Sequence, residues 1–513
     1  MQYKPVTNRE PNTPAISDLK PRIYAGIIFA CAAIGVGMLV IGLSDPFLAP
    51  HDFDEGVYWQ TLRSMSAGYH LYGQIFYSQP PFFLLSIYPF HASLGSTLEA
   101  AHVGVAVFSL LGFAGAYMMG RALGGRAGGA AALAILAVSP AYLAQSQKLQ
   151  AEGPATAFLL LAVGAALLWR EHPTGRSGYC LAIFSGVALS LGVLTKLFDA
   201  VALVPMLLIV VVRLREARRA PTANGRADLP PIAAAILAGV VTALVVLAPF
   251  AHWPDQVMRQ TVTLHLDAWA AMNVPADQNI DTLRRFFATN ALVSAAAFVG
   301  VFVAILRRDW RIVPLAAWLL ATLAFLAVHY PLLLRHTIIL VPPLIAIVAL
   351  ALNDLPTISF RAPRPLRQKL VLLAAGLAAA TVLFSIALDY RYYRKLAAAA
   401  ESSAQHVIKL AAELKRTTTA DQWVITDDPF VAGLAGRDVP PWLVDTALVR
   451  VQAGYLSIRE LLEAGADPRV HAVLFATGRL TAAPVASFHD WVAEHFQRVD
   501  LRDVGAGVEL WVR

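Results

Sequence analysis

Long apolar runs recur from one end of the chain to the other, and polar residues gather in the stretches between them. Each run is roughly 17–23 residues long, about the length a helix needs to cross a bilayer. They fall near 22–44, 100–120, 125–143, 154–170, 178–197, 199–213, 231–251, 288–306, 312–330, 335–352 and 369–389. That pattern predicts about eleven transmembrane helices. The sixth run is short and either spans or pairs with its neighbour as a re-entrant hairpin.

After the last run the pattern changes. "SSAQHVIKLAAELKR" has amphipathic helical spacing, "QWVITDD" reads as a strand into a turn, and "SIRELLEAGA" as a helix. "HAVLFA", "SFHDWVAEHF" and "VELWVR" follow as strand, helix and strand. The expected fold class is therefore mainly α, a polytopic membrane domain over 1–394 with a C-terminal soluble α/β domain over 395–513. Two inter-span stretches, 45–99 and 252–287, are long enough for structure of their own. In the first, Tyr58, Leu62, Met65 and Tyr69 recur at helical spacing with Gly68 as a stop, which predicts an interfacial helix.

Composition agrees. The chain of 513 residues is 57% hydrophobic and 15% charged, with a mean hydropathy of +0.58, too apolar for a soluble protein of this length. The first run is too long for a cleaved leader and no small-residue cleavage site follows it, so it reads as a retained span. Cys31 and Cys180 both fall in apolar runs and predict no disulfide framework. The net charge of +7 and pI near 9.4 follow from topology. Lys4, Arg9, Lys20 and Arg22 precede the first span, and Arg121, Arg126, Arg170, Arg176, Arg213, Arg215, Arg307, Arg308 and Arg361 occupy alternate loops. Those loops read as cytoplasmic by the positive-inside rule. The N-terminus is then cytoplasmic, while 45–99, 252–287 and the C-terminal domain lie outside. No nucleic-acid partner is implied, and no cytoplasmic stretch is large enough for a nucleotide-binding domain.

"HDFDEG" follows the first span and holds Asp52, Asp54 and Glu55. Asp52-x-x-Glu55 has capping-box spacing, and acids in a first turn suit the helix dipole. The same geometry keeps a carboxylate ionised and directed, which a general base needs. At the end of that loop, Gln79-Pro80-Pro81 forms a stiff turn. Glu152, Lys196 and Arg335 stand at span ends. An ionisable group at membrane depth marks function or pairing, although Lys196 and Arg335 also suit plain snorkelling or anchoring.

Taken in order, these residues resemble the GT-C superfamily of membrane glycosyltransferases. The likeness is to the bacterial branch with protein O-mannosyltransferases and the lipid A aminoarabinose transferase. The first-loop Asp-Glu and the Pro-Pro turn in "YSQPPFF" match in order. So do "SPAYLAQSQKLQAEGPATAF" with Glu152, "LTKLFDA" with Lys196, and "LLLRHTIILVPPL" with Arg335 and His336. The resemblance spans residues 20 to 390. It implies a transferase in the bacterial inner membrane that takes a sugar from a polyprenyl-phosphate donor and gives it to an envelope glycan, lipid or protein acceptor at the outer face. It implies Asp54 as base, with Glu55 in support or in its place, and Glu152 sharing the site. Lys196, Arg335 and Arg259 are the candidate phosphate ligands, and Gln79, Pro80, Pro81 and His336 the substrate loop.

The chain departs from the family in two places. The aminoarabinose branch carries Glu-Lys before the proline turn, and that Glu helps bind a metal. Ser78 and Gln79 stand there instead. His265, with His51 and Asp52, is left as a candidate ligand for a divalent cation, without metal-motif spacing. "LTKLFDA" also lacks the family's Gly after Lys196. A flippase for lipid-linked saccharides, or a polysaccharide polymerase or ligase, is the alternative. A flippase would show repeated halves and charges near the midplane.

Overall fold

The computed structural model describes residues 16–44, 52–173, 175–219, 228–272, 276–357, 365–501 and 507–513. His51 lies outside them. The apolar runs form helices: α1 (Ile16–Ser44), then α2 (Phe53–Ser66) and α3 (Phe82–Ser93) in the first long loop, then α4 (Leu98–Ala137) and the short α5 (Pro140–Ser146). α6 (Glu152–Glu171), α7 (Gly175–Thr195), α8 (Leu203–Arg219) and α9 (Leu229–Leu247) follow. The stretch after α9 folds into α10 (Pro254–Met258), a π-helical turn over Arg259–Thr263, α11 (Leu264–Ala271) and α12 (Ala276–Thr289). The bundle closes with α13 (Ala291–Arg307), α14 (Ile312–Val328), α15 (Val341–Ala351) and the long α16 (Leu366–Thr417).

Among the described residues, seven helices are long and apolar enough to cross a membrane, or eight if the bent pair α12–α13 forms one span. The expected eleven is not reached on that measure, for identifiable reasons. Two expected runs fall in α4, which breaks at Gly124 and Gly125, the latter at φ 62°. Its arms then pack back on each other at Gly120 and Gly128, where a Cβ would strike the facing backbone, so only glycine permits the approach. The apolar parts of α1 and α14 are shorter helices. α12 meets α13 at 87° and so does not extend it. The sixth run, by contrast, belongs to a full-length apolar helix over Leu197–Arg218.

Burial sorts the helices by place. In its apolar window α6 is 94% buried, against 6% for the helix at Leu229–Phe250. α6 is thus the axis of the bundle and α9 faces its surroundings.

The C-terminal domain holds a four-stranded sheet in the order β1 (Trp423–Thr426), β2 (Val470–Phe475), β4 (Glu509–Val512), β3 (Gln497–Val499). β1 and β2 are parallel, and the other pairs antiparallel. Helices α17 (Pro429–Leu434), α18 (Leu448–Gln452), α19 (Ile458–Ala466) and α20 (Ser487–His495) connect them. α19 starts with a capping box between Ser457 and Glu460. Helix α16 runs unbroken through residue 395, so the two domains join through a continuous helix.

The first-loop helices are present, but α2 does more than lie on a surface. Gly56 lies so close to the Phe430 backbone, and Gly433 to the Trp59 ring, that a Cβ at either position would clash. The Gln60 amide donates to the Arg437 carbonyl at 2.9 Å, and Arg63 pairs with Asp438 at 2.6 Å. The buried side chains of α2, α3 and the C-terminal domain therefore form one core.

Candidate active site

Five residues singled out in the sequence, Asp52, Asp54, Glu152, Lys196 and Arg335, meet at one end of the bundle, the end that carries the C-terminal domain. Asp52 is the N-cap of α2, and its carboxylate accepts from the Asp54 N–H at 3.0 Å. Asp54 sits in the first turn with about a third of its side chain (31%) open. Arg335, in a 3-10 turn before α15, binds Asp52 through Nη1 at 2.7 Å and Asp54 through Nη2. Its Nε lies 3.5 Å from Glu152 Oε1, which also takes a hydrogen bond from Lys196 Nζ at 2.6 Å.

Local structure explains this placement. Asp54 and Glu152 stand in the first turns of α2 and α6, where the dipole favours negative charge. Lys196 follows the last turn of α7, where it favours a cation. Three carboxylates thus face two cations, and not every group is satisfied. Glu152 Oε2, Arg335 Nε and the Tyr77 hydroxyl are buried with no hydrogen-bond partner among the described residues. Tyr77 lies within electrostatic reach of Glu152 and Asp54.

The two aspartates differ in acidity. Burial pushes the Asp54 carboxyl up to about 6, and the Asp52 and Asp445 charges add to this while Arg335 and Lys196 oppose it. Burial acts on Asp52 too, but the Arg335 guanidinium and the Asp54 N–H outweigh it and hold Asp52 below its ordinary value. Burial and nearby carboxylates push the Tyr58 and Tyr77 phenols well up, so both are neutral donors.

Other expected residues take other parts. Glu55 is 2% exposed, and its Oε1 is bound by His102 Nε2 at 2.6 Å and the Leu149 N–H at 2.9 Å. It ties α2 to α4 and to the loop before α6. Arg259 does not join the cluster: it is exposed and stacks over the Tyr455 ring at 4.9 Å. His336 is buried, with Nδ1 accepting from the Leu333 N–H and Nε2 3.9 Å from Glu152. The Gln79 carbonyl accepts from the Tyr72 hydroxyl at 2.7 Å, and Pro80-Pro81 leads directly into α3.

The candidate metal ligands that the structure describes are engaged elsewhere. His265 Nε2 donates to the Ser78 carbonyl at 2.8 Å, and Asp52 is held by Arg335. Among the described residues, no three His, Cys, Asp or Glu side chains group as a metal would need. Sequence reasoning missed Tyr77, Ser78 and Asp445 as parts of this site. Tyr77 and Ser78 flank a motif that had drawn notice, whereas Asp445 comes from the C-terminal domain with no local signal.

An apolar cavity of about 460 Å³ opens between α6, α7, α8 and α9. Its walls include Trp169, Ser190, Leu194, Leu203 and Val240. One wall residue, Leu194, is two residues before Lys196 in the sequence.

Comparison with known proteins agrees with this architecture. Residues 78–253 match the model of a family described as dolichyl-phosphate-mannose-protein mannosyltransferase. The fold is similar to ArnT from Cupriavidus metallidurans, with a TM-score of 0.66 at 14% identity, covering 95% of this chain and 98% of that one. ArnT bound to undecaprenyl phosphate matches equally, at 0.66. The archaeal oligosaccharyltransferase AglB from Archaeoglobus fulgidus, in complex with an inhibitory peptide and a dolichol-phosphate, matches at 0.54 and 11% identity, covering 93% and 71%. Among proteins of curated function, none matches by sequence. The chain shares the overall fold of these solved structures.

Proposed function

We infer that the protein is a membrane glycosyltransferase, moving a sugar from a polyprenyl-phosphate donor to a hydroxyl of an envelope glycan, lipid or protein. The observation that carries this is the convergence of Asp54, Glu152, Lys196 and Arg335 at one end of the bundle. In this reading Asp54 takes the proton of the acceptor hydroxyl as its oxygen attacks the anomeric carbon. The bond from that carbon to the phosphate oxygen breaks, with inversion, and polyprenyl phosphate leaves. Lys196 and Arg335 neutralise the departing phosphate, where charge-assisted bonds are strongest.

Further features support the reading. A carboxyl near 6 is a better base than an ordinary aspartate and is still ionised at neutral pH. The apolar groove between α6, α7, α8 and α9 suits a prenyl tail. The charged residues gather at one end, where a flippase would need them along its path. Lys and Arg placement supports a cytoplasmic N-terminus and a reaction at the extracytoplasmic face, and the family resemblance supports a bacterial inner membrane. Residues 1–394 are then the transferase domain and 395–513 an extracytoplasmic domain that closes over it.

The test is incubation of purified protein with labelled polyprenyl-phosphate sugars and candidate acceptors. Wild type should yield glycosylated acceptor and free polyprenyl phosphate in equal amounts. Failure to move sugar from any donor would overturn the reading.

A further inference from the structure

The C-terminal domain reaches the charged cluster through a buried carboxylate. Asp445 lies in the loop before α18 and is 4% exposed. Its Oδ2 accepts from the Ser78 hydroxyl at 3.1 Å and its Oδ1 from the Ala447 N–H at 2.9 Å. The loop itself is fixed. Arg450 is buried, donates to the Asp445 carbonyl at 2.6 Å and to the Trp442 carbonyl at 2.8 Å, and covers the Phe76 ring at 3.7 Å.

Ser78 is held from its other side as well, because its carbonyl accepts from His265 in α11. It stands between Tyr77, whose hydroxyl has no hydrogen-bond partner among the described residues and lies near Glu152 and Asp54, and the Gln79-Pro80-Pro81 turn. Gln260, in the π-helical turn, clamps the same segment by accepting from the Tyr77 N–H at 2.8 Å. Packing of the two domains is already provided by Gly56, Trp59, Phe430 and Gly433. A carboxylate in such an interface costs desolvation and is not needed for docking.

We propose that Asp445 is a positioning residue for the transfer reaction: through Ser78 it fixes the Tyr77–Pro81 segment and sets the Tyr77 phenol against Glu152 and Asp54. The C-terminal domain is then a working part of the active centre. This rests on the glycosyl-transfer reading for its chemistry, but its geometry can be tested without any substrate.

The experiment uses full-length protein with Ser78→Ala, Asp445→Ala, Asp445→Asn and the double variant Ser78→Ala/Asp445→Ala. Hydrogen exchange in the peptide covering Tyr77–Pro81 should quicken about tenfold in each single alanine variant, with no further gain in the double variant. Asp445→Asn, which keeps an oxygen for Ser78, should restore most of the protection. In the transfer assay kcat should drop about tenfold in each alanine variant and about tenfold, not a hundredfold, in the double, with donor KM little changed. Wild-type exchange in Ser78→Ala, or additive effects in the double variant, would overturn the proposal. Ser78→Ala removes one hydroxyl, so it decides the matter even if Asp445→Ala misfolds. The exchange readout needs no donor, so it stands whatever wild type does in the transfer assay.

Discussion

Two carboxylates one residue apart on α2 sit in regions built for different ends. Glu55 points into the interior, where a histidine of α4 and a backbone N–H before α6 hold its Oε1. Asp54 points to the end of the bundle, where its partner Arg335 is shared with Asp52 and lies near Glu152, and where buried polar atoms lack hydrogen-bond partners among the described residues. A carboxylate held by fixed donors locks elements together. One held by a shared cation beside unsatisfied groups can exchange partners when a substrate arrives.

That contrast can be broken most sharply by removing each acid. Asp54→Asn should cut transfer by about 10³-fold, within the usual range for a general base, with thermal unfolding in detergent little changed. Unfolding at a much lower temperature would put Asp54 on the structural side. Next in size, Lys196→Ala and Arg335→Ala should each lower kcat about 10²-fold through lost stabilisation of the leaving phosphate. An effect on acceptor KM alone would separate them from the donor phosphate. Glu55→Ala should instead destabilise the fold by about 3 kcal/mol, read as a lower unfolding temperature, with kcat per folded molecule within about fivefold of wild type.

The acidity of Asp54 sharpens the comparison further. Its raised value means transfer falls as pH drops through about 6, because the base becomes protonated. Its effect on stability has the opposite sign. The folded state binds this proton more tightly than the unfolded chain, so its contribution to stability fades as pH rises from the ordinary aspartate value through about 6. A pH–rate profile with no acidic limb near 6 would contradict the assignment. The smallest expected effect is in the groove: Ser190→Trp should raise donor KM several-fold at nearly constant kcat if a prenyl tail lies there.

Much of this was legible in the sequence, because a bilayer fixes the length of an apolar run and a family motif fixes the order of charged residues. The strand and helix pattern after residue 420 was equally plain, since alternation and helical spacing are local. The span count was not legible. Gly124 and Gly125 join two runs in one broken helix, and α12 turns 87° away from α13. Pairings across the fold were also hidden. Glu55 looked like a second base, and nothing in its spacing showed its tie to His102 in the next helix pair. Arg259 looked like a phosphate ligand, yet Tyr455 of the other domain offers its ring. Asp445 lies 367 residues from Ser78 and carries no motif. Such contacts depend on which faces meet, and one-dimensional spacing does not encode that.

The most direct test compares neighbours on one helix. Initial rates of transfer from a labelled polyprenyl-phosphate sugar would be measured for wild type, Asp54→Asn and Glu55→Gln in one preparation. The account predicts a loss of about 10³-fold for Asp54→Asn and less than about fivefold for Glu55→Gln, which keeps an acceptor oxygen for His102 and Leu149. Wild-type transfer by Asp54→Asn, or an equal loss in both variants, would contradict it.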